Sequence, residues 1–286
     1  MSSSLASIID SRSAITPGRW AFAKVALASA IGTTVEYYDF TLYATATALV
    51  FNRIFFLTKD PLVGSLAAFA TFFIGYCARP LGGVIFGHFG DRVGRRNMLL
   101  ITVLIMGLGT FFIGLIPSYA TIGIWAPVLL ILLRLLQGIG IGGEYGGGMV
   151  MTVEHAPPHL RGLCSALVHI GVPAGFLIPI ALLGALSATM PDAEFISWGW
   201  RVPFLFSVVL VGLALFIRFR IEESPAFQSM TQHEKPSSVP VVEAIVRHGR
   251  SIVLGIGAKV AESGLFNIYA VFAITYAVTV LHLSKT

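Results

Sequence analysis

Glu36, Asp39, Arg79, Arg134, Glu144, Lys259 and Glu262 all stand inside long apolar stretches of the sequence. An ionisable group at the centre of a bilayer costs at least roughly 2.5–3.5 kcal/mol on insertion scales, so each one needs a reason to be there. Glu36 and Asp39 are three residues apart and share one face of a helix. Arg79 precedes Gly87 by eight residues, which on a helix places it roughly 12 Å from that end. A guanidinium carries a permanent charge and a planar fork of donors that matches a carboxylate. Arg79 can therefore hold a substrate carboxylate, and Glu36 or Asp39 can carry a proton whose binding responds to a neighbouring cation. The competing reading is a set of buried ion pairs that only register helices, for instance Asp39 with Arg134.

The elements that must position these groups follow from composition. Of 286 residues, 56% are hydrophobic and 12% charged, against about 25% charged in a soluble domain. Disorder, collagen, a disulfide scaffold and an ordinary cytosolic enzyme are excluded, leaving a chain solvated by lipid. A spanning helix needs roughly 20 mostly apolar residues. Seven such stretches lie near 25–51, 62–87, 98–116, 125–150, 163–190, 202–219 and 252–281. Cys77 and Cys164 both fall inside spans, which argues against a disulfide framework. The first apolar stretch contains Glu36 and Asp39 and is too long for a signal peptide, so it reads as a retained helix.

The net charge is +5, and its placement is a topology signal. Arg12, Arg19, Lys24, Arg92, Arg95, Arg96, Arg161, Arg218, Arg220, Lys235, Arg247 and Arg250 fall on one side of alternating spans. Arg53, Lys59, Arg201 and Lys285 fall on the other. The positive-inside rule then puts the N-terminus in the cytoplasm and the chain in the cytoplasmic (inner) membrane as a multi-pass protein. No compact basic domain exists to bind nucleic acid. The expected layout is a cytoplasmic tail at 1–24, a six-helix transmembrane lobe at 25–217, a charged linker at 218–251, and a seventh helix within 252–286. The stretch 88–97 is expected as a cytoplasmic loop rich in Gly and Arg.

Gly138, Gly140 and Gly143 form a GxGxxG, but inside an apolar helix with no preceding strand it is not a dinucleotide site. Gly138, Gly142 and Gly146 repeat at i+4, a spacing that lets a neighbouring backbone approach closely, and Gly82, Gly83 and Gly87 of the second span are expected to do the same. Gly171, Pro173, Gly175 and Pro179 predict a bent, closely packed fifth span. His88, His155, His159 and His169 make no defensible ligand set, and neither a metal nor any other cofactor is expected.

The stretch from Gly87 to Arg96 (GHFGDRVGRR) resembles the loop signature between helices 2 and 3 of the major facilitator superfamily. Arg134 with Gln137 and Gly138 is similar to that superfamily's helix-4 signature. VEYYDF at 35–40, RPLGG at 79–83, GGEY at 142–145, WGWRVPF at 198–204 and ESPAF at 223–227 narrow the resemblance to the metabolite:proton symporter family. It runs from about Gly18 to the C-terminus.

The resemblance implies an all-α integral membrane fold: an N-terminal six-helix lobe followed by the first helix of a second lobe. It implies proton-coupled symport of a small organic acid or zwitterion such as proline or betaine, and no enzymatic activity. Candidate substrate-binding residues are Arg79, Tyr37 and Tyr43; candidate proton-coupling residues are Glu36, Asp39, Arg134 and Glu144. Gly87, Asp91, Arg92, Gly94, Arg95 and Arg96 are implied to form a cytoplasmic gate between lobes, with Asp91 pairing locally to Arg92 or Arg95 where the other lobe is absent. The expected partners are the substrate, protons, the lipid bilayer and a second lobe. The other expectations are a non-transporting remnant or half-transporter, and a seven-helix retinal protein with Lys259 as the Schiff-base lysine.

Overall fold

The computed structural model describes residues 19–56, 61–156, 158–220, 223 and 240–267. It divides into two compact units, Met1–Pro236 and Ser237–Thr286. In the first unit α1 (Arg19–Ala46) continues through a π-helical turn at Thr47–Phe51 and a short helix at Asn52–Ile54. Then come α2 (Pro61–Val93), α3 (Arg95–Leu115) and α4 (Trp125–His155). The fifth crossing is α5 (Arg161–Val168) plus α6 (Gly171–Thr189), and the sixth is α7 (Arg201–Arg218). There is no strand among the described residues.

Among the described residues, five helices are long and apolar enough to cross a membrane: Leu66–Val93, Arg95–Leu115, Trp125–His155, Pro158–Thr189 and Asp192–Arg218. The expected first span is a helix of 28 residues but is not one of these five, because Thr, Tyr, Glu36 and Asp39 dilute its apolar side chains. The outward faces carry large apolar groups such as Leu66, Phe73, Leu81 and Phe112, while Glu36, Asp39, Arg134, Glu144 and Arg218 are buried. Apolar outside and charged inside is what a lipid solvent selects.

Four boundaries differ from the sequence expectation. Helix α1 begins at Arg19, inside the expected tail, whose first 18 residues lie outside the described ones. The expected loop at 88–97 shrinks to one non-helical residue, Gly94, since α2 runs to Val93 and α3 starts at Arg95. Val93 therefore lies 14 residues beyond Arg79, so Arg79 sits roughly 21 Å from the end of α2 rather than 12 Å. In the second unit the amphipathic piece and the start of the seventh span are one helix, α8 (Pro240–Asn267), broken at His248 (φ −124°, ψ 21°). The rest of the expected seventh span lies outside the described residues.

Helix α4 is the axis of the first unit, packed on α2 and α3, while α1 packs on α6 and α7 on α3. The α2–α4 contact is backbone to backbone. A Cβ on Gly138 would overlap the Gly75 carbonyl, and one on Gly142 the Arg79 carbonyl. The i+4 pattern does not extend to Gly146 or Gly87, where an added Cβ meets nothing within 4 Å. The fifth crossing breaks at His169–Ile170, and its Gly171 and Gly175 lie against the α1 backbone. At the far end from Gly94 an aromatic cluster fixes the π-helical turn: Phe51 meets Phe55 at 5.1 Å and Trp200 at 5.6 Å, and Trp200 meets Phe204 at 5.6 Å. These are edge-on arrangements that favour ring quadrupoles.

Candidate functional site

Among the described residues of the first unit, the charged groups inside the helix bundle form three clusters at different heights. In the first, Arg79 Nη1 lies 3.8 Å from Glu36 Oε1. The Arg79 side chain is 28% exposed and Glu36 only 8%. The guanidinium lies over the Tyr76 ring at 4.4 Å and near Phe40 at 5.6 Å. Among the described residues Glu36 is the ion-pair partner of Arg79, and 3.8 Å is too long for a hydrogen bond. The guanidinium lies against ring faces, and part of the Arg79 side chain stays exposed. Tyr37, one residue from Glu36, packs its ring on Phe176 of α6 at 5.3 Å.

The second cluster is buried. Asp39 accepts from Arg134 Nη1 at 3.1 Å, Gln137 Nε2 at 2.7 Å and Thr110 Oγ1 at 2.5 Å. Arg134 also donates to Gln137 Oε1 at 3.0 Å and lies 3.9 Å above the Tyr43 ring. This joins α1, α3 and α4 through one carboxylate. Tyr43 was expected beside the substrate. It is instead fully buried, its hydroxyl 2.5 Å from Thr71 Oγ1 and its ring supporting Arg134. It sits six residues beyond Tyr37, so the helical turn carries it inward.

The third cluster was not anticipated. Glu144 is gripped by both terminal nitrogens of Arg218, Nη1 at 2.9 Å to Oε2 and Nη2 to Oε1. Thr102 donates to Glu144 Oε2 at 2.8 Å, and Arg218 Nη1 also reaches the Leu99 carbonyl at 2.6 Å. Arg218 was counted as a topology-setting cation; it is buried, because α7 packs on α3 and α1 and its last side chain reaches across to Glu144 of α4. The available signal was an unpaired Glu144 within an apolar span, which requires a cation from elsewhere. Gly32 of α1 leaves the room: a Cβ there would overlap both Arg218 and Glu144.

At the tight turn, Gly94 holds φ 111° and ψ 139°, a conformation closed to side-chain-bearing residues. Arg95 pairs with Asp91 at 3.5 Å and with Glu154 of α4. Arg96 Nη2 donates to the Phe219 carbonyl at 2.7 Å. The Glu223 carboxylate accepts from the backbone N–H of Arg95 and Arg96, at 3.2 Å each, an anion on the exposed amides of an α3 N-terminus. Of the expected gate residues, Asp91 and Arg95 pair here and Arg96 joins through Glu223 and the Phe219 carbonyl, while a Cβ added at Gly87 would meet nothing within 4 Å. Among the described residues, no group of three His, Cys, Asp or Glu gathers to hold a metal.

Residues 25–245 match the model of the family described as sugar (and other) transporter. The chain belongs to that transporter family. A shikimate transporter of Escherichia coli is 46% identical over 256 residues, covering 89% of this chain and 58% of that protein. A proline/betaine transporter of Salmonella typhimurium is 36% identical over 271 residues, covering 92% and 54%. The chain thus spans somewhat over half the length of these curated relatives. The E. coli xylose transporter XylE, in a partially occluded inward-open conformation, superposes with TM-score 0.67 at 18% identity, covering 82% of this chain and 61% of that one. Another structure of XylE, described as a major facilitator superfamily proton:xylose symporter, gives TM-score 0.67 at 15% identity, covering 84% and 53%. This family member is a multi-pass membrane protein of the major facilitator fold, helical throughout its described elements, and not an enzyme. Its membership displaces the retinal reading of Lys259.

Proposed function

We propose that this transporter-family chain supplies the substrate-anchoring half of a proton-coupled symporter for a small carboxylate-bearing metabolite in the cytoplasmic membrane, its N-terminus inside. The observation that carries the reading is the difference between its buried cations. Arg134 and Arg218 grip carboxylates at hydrogen-bond distance, whereas Arg79 keeps its fork partly exposed and only loosely paired to Glu36. A carboxylate arriving at Arg79 competes with Glu36 for one guanidinium. Glu36 then exchanges its ion pair for a proton, so solute and proton are taken up together. Tyr37 and the Tyr76 face border that position. Asp39 with Arg134 forms the rigid wall behind it, a second carboxylate available to the proton path. A second lobe completes the cavity, the segment 218–251 links the lobes, and the Asp91–Gly94–Arg95–Arg96 turn closes the cytoplasmic side.

The test is uptake of labelled hydroxy acids and zwitterions into cells by a protein of the relatives' full length. The expected result is carboxylate-dependent uptake that collapses with an uncoupler and falls at least roughly tenfold in Arg79→Lys, which keeps the charge but loses the fork. Uptake indifferent to the uncoupler removes the coupling; uptake unchanged in Arg79→Lys removes the anchor.

A further inference from the structure

A cavity of about 500 Å³ opens at the end of the bundle opposite Gly94. Arg53 comes from the end of the first crossing, Ser118 and Thr121 from the α3–α4 connection, and Ser197 and Arg201 from the π-helical turn entering α7. Its volume suits a small-molecule group. Two arginines and three hydroxyl-bearing residues line one space; the Ser118 and Thr121 hydroxyls share a hydrogen bond at 3.1 Å, the Ser197 hydroxyl donates to the Glu194 carbonyl at 3.0 Å, and neither arginine is used up.

Arg201 is half-buried; it donates to the Gly114 carbonyl at 2.6 Å and stacks on Trp200 at 4.6 Å. Among the described residues it has no ion-pair partner. A partly desolvated cation with spare donors is stabilised by a counter-anion. Arg53 is paired with Asp192 at 3.5 Å, but both side chains are open to solvent, at 56% and 80% exposure. Such a pair is weak and readily exchanged. Trp198 and Trp125 stand exposed at the same end, where aromatic side chains mark the headgroup level of a bilayer.

We propose that this cavity is an oxyanion site, in which a phosphate or carboxylate group is held by the forks of Arg53 and Arg201, with the hydrogen-bonded Ser118–Thr121 pair supplying one neutral hydroxyl donor. The site is separate from Arg79 and does not depend on transport. The oxyanion comes either from an anionic lipid headgroup or from a free anion in solution.

The experiment uses the purified chain in detergent. Native mass spectrometry with equal phosphatidylglycerol and phosphatidylcholine counts retained lipid, and tryptophan fluorescence follows titration with sodium phosphate at constant ionic strength. The expected result is either preferential retention of phosphatidylglycerol, which assigns the lipid source, or saturable quenching by phosphate, which assigns the soluble one. Arg53→Gln weakens whichever signal is present by roughly five- to tenfold. Asp192→Asn removes the competing carboxylate and strengthens the signal by roughly two- to threefold, a gain that loss of folding cannot mimic. Arg201→Lys keeps a cation near the Gly114 carbonyl and loses the fork. Equal retention of both lipids without saturable quenching overturns the site, as does a signal that neither Arg53→Gln nor Asp192→Asn changes.

Discussion

Arg218 and Glu144, 74 residues apart, close a two-pronged ion pair with side chains only 4% and 3% exposed. The pair ties the last turn of α7 to the middle of α4, and through Thr102 and the Leu99 carbonyl to α3. Removing one partner of such a pair leaves a buried charge uncompensated, at a cost of about 3–5 kcal/mol. Arg218→Met is therefore expected to lower the thermal unfolding midpoint of the purified chain sharply, whereas the double change Arg218→Met with Glu144→Leu recovers most of the loss. A double variant no better than the single one would show that the charges themselves are required.

At the tight turn, Gly94→Ala forces a side chain into a conformation that only glycine adopts freely, at about 1–3 kcal/mol. Protease cleavage between α2 and α3 is the sensitive readout, with faster cutting expected in the variant. Glu223→Ala removes the carboxylate from the Arg95 and Arg96 amides and is expected to cost about 1 kcal/mol. Chemical denaturation of the purified chain measures it.

Where α2 crosses α4, Gly142→Val places methyl groups against the Arg79 carbonyl. Overpacking of this kind costs about 1–3 kcal/mol and also displaces Arg79. Folded yield is expected to fall. Gly146→Ala, four residues on, meets nothing within 4 Å and is expected to leave yield unchanged. Equal effects at the two positions would contradict the close crossing.

In a transport-competent protein of full length, Glu36→Gln is expected to leave substrate exchange in place while abolishing gradient-driven accumulation. Its neutral amide cannot exchange an ion pair for a proton. Counterflow and net uptake measured side by side separate the two. Retained accumulation would move the proton to Asp39, whose carboxylate already accepts three donors.

Composition settled the solvent. A chain with 12% charged residues has too few charges for a water-facing surface, so apolar helices with buried ionisable groups were legible before any coordinates. The spacing of Gly138 and Gly142 foretold a close helix crossing, and the Gly and Arg residues around Gly94 foretold a charged connection, though a longer one than the single residue found. These are local properties, fixed by chemistry within a helical turn or two. Partnership was not local. Arg218 counted as a topology-setting cation at the end of the sixth span; only the packing of α7 on α3 and α1 brings its side chain to Glu144. Tyr43 looked available because it shares a helix with Tyr37, yet its rotation about α1 turns it under Arg134. The length of α2 decided the height of Arg79, and a sequence rich in glycine and arginine gave no reason to expect helix down to Val93. Which charges saturate one another depends on distances between segments far apart along the chain. Tertiary packing alone sets those distances, and it left Arg79 with its fork partly open.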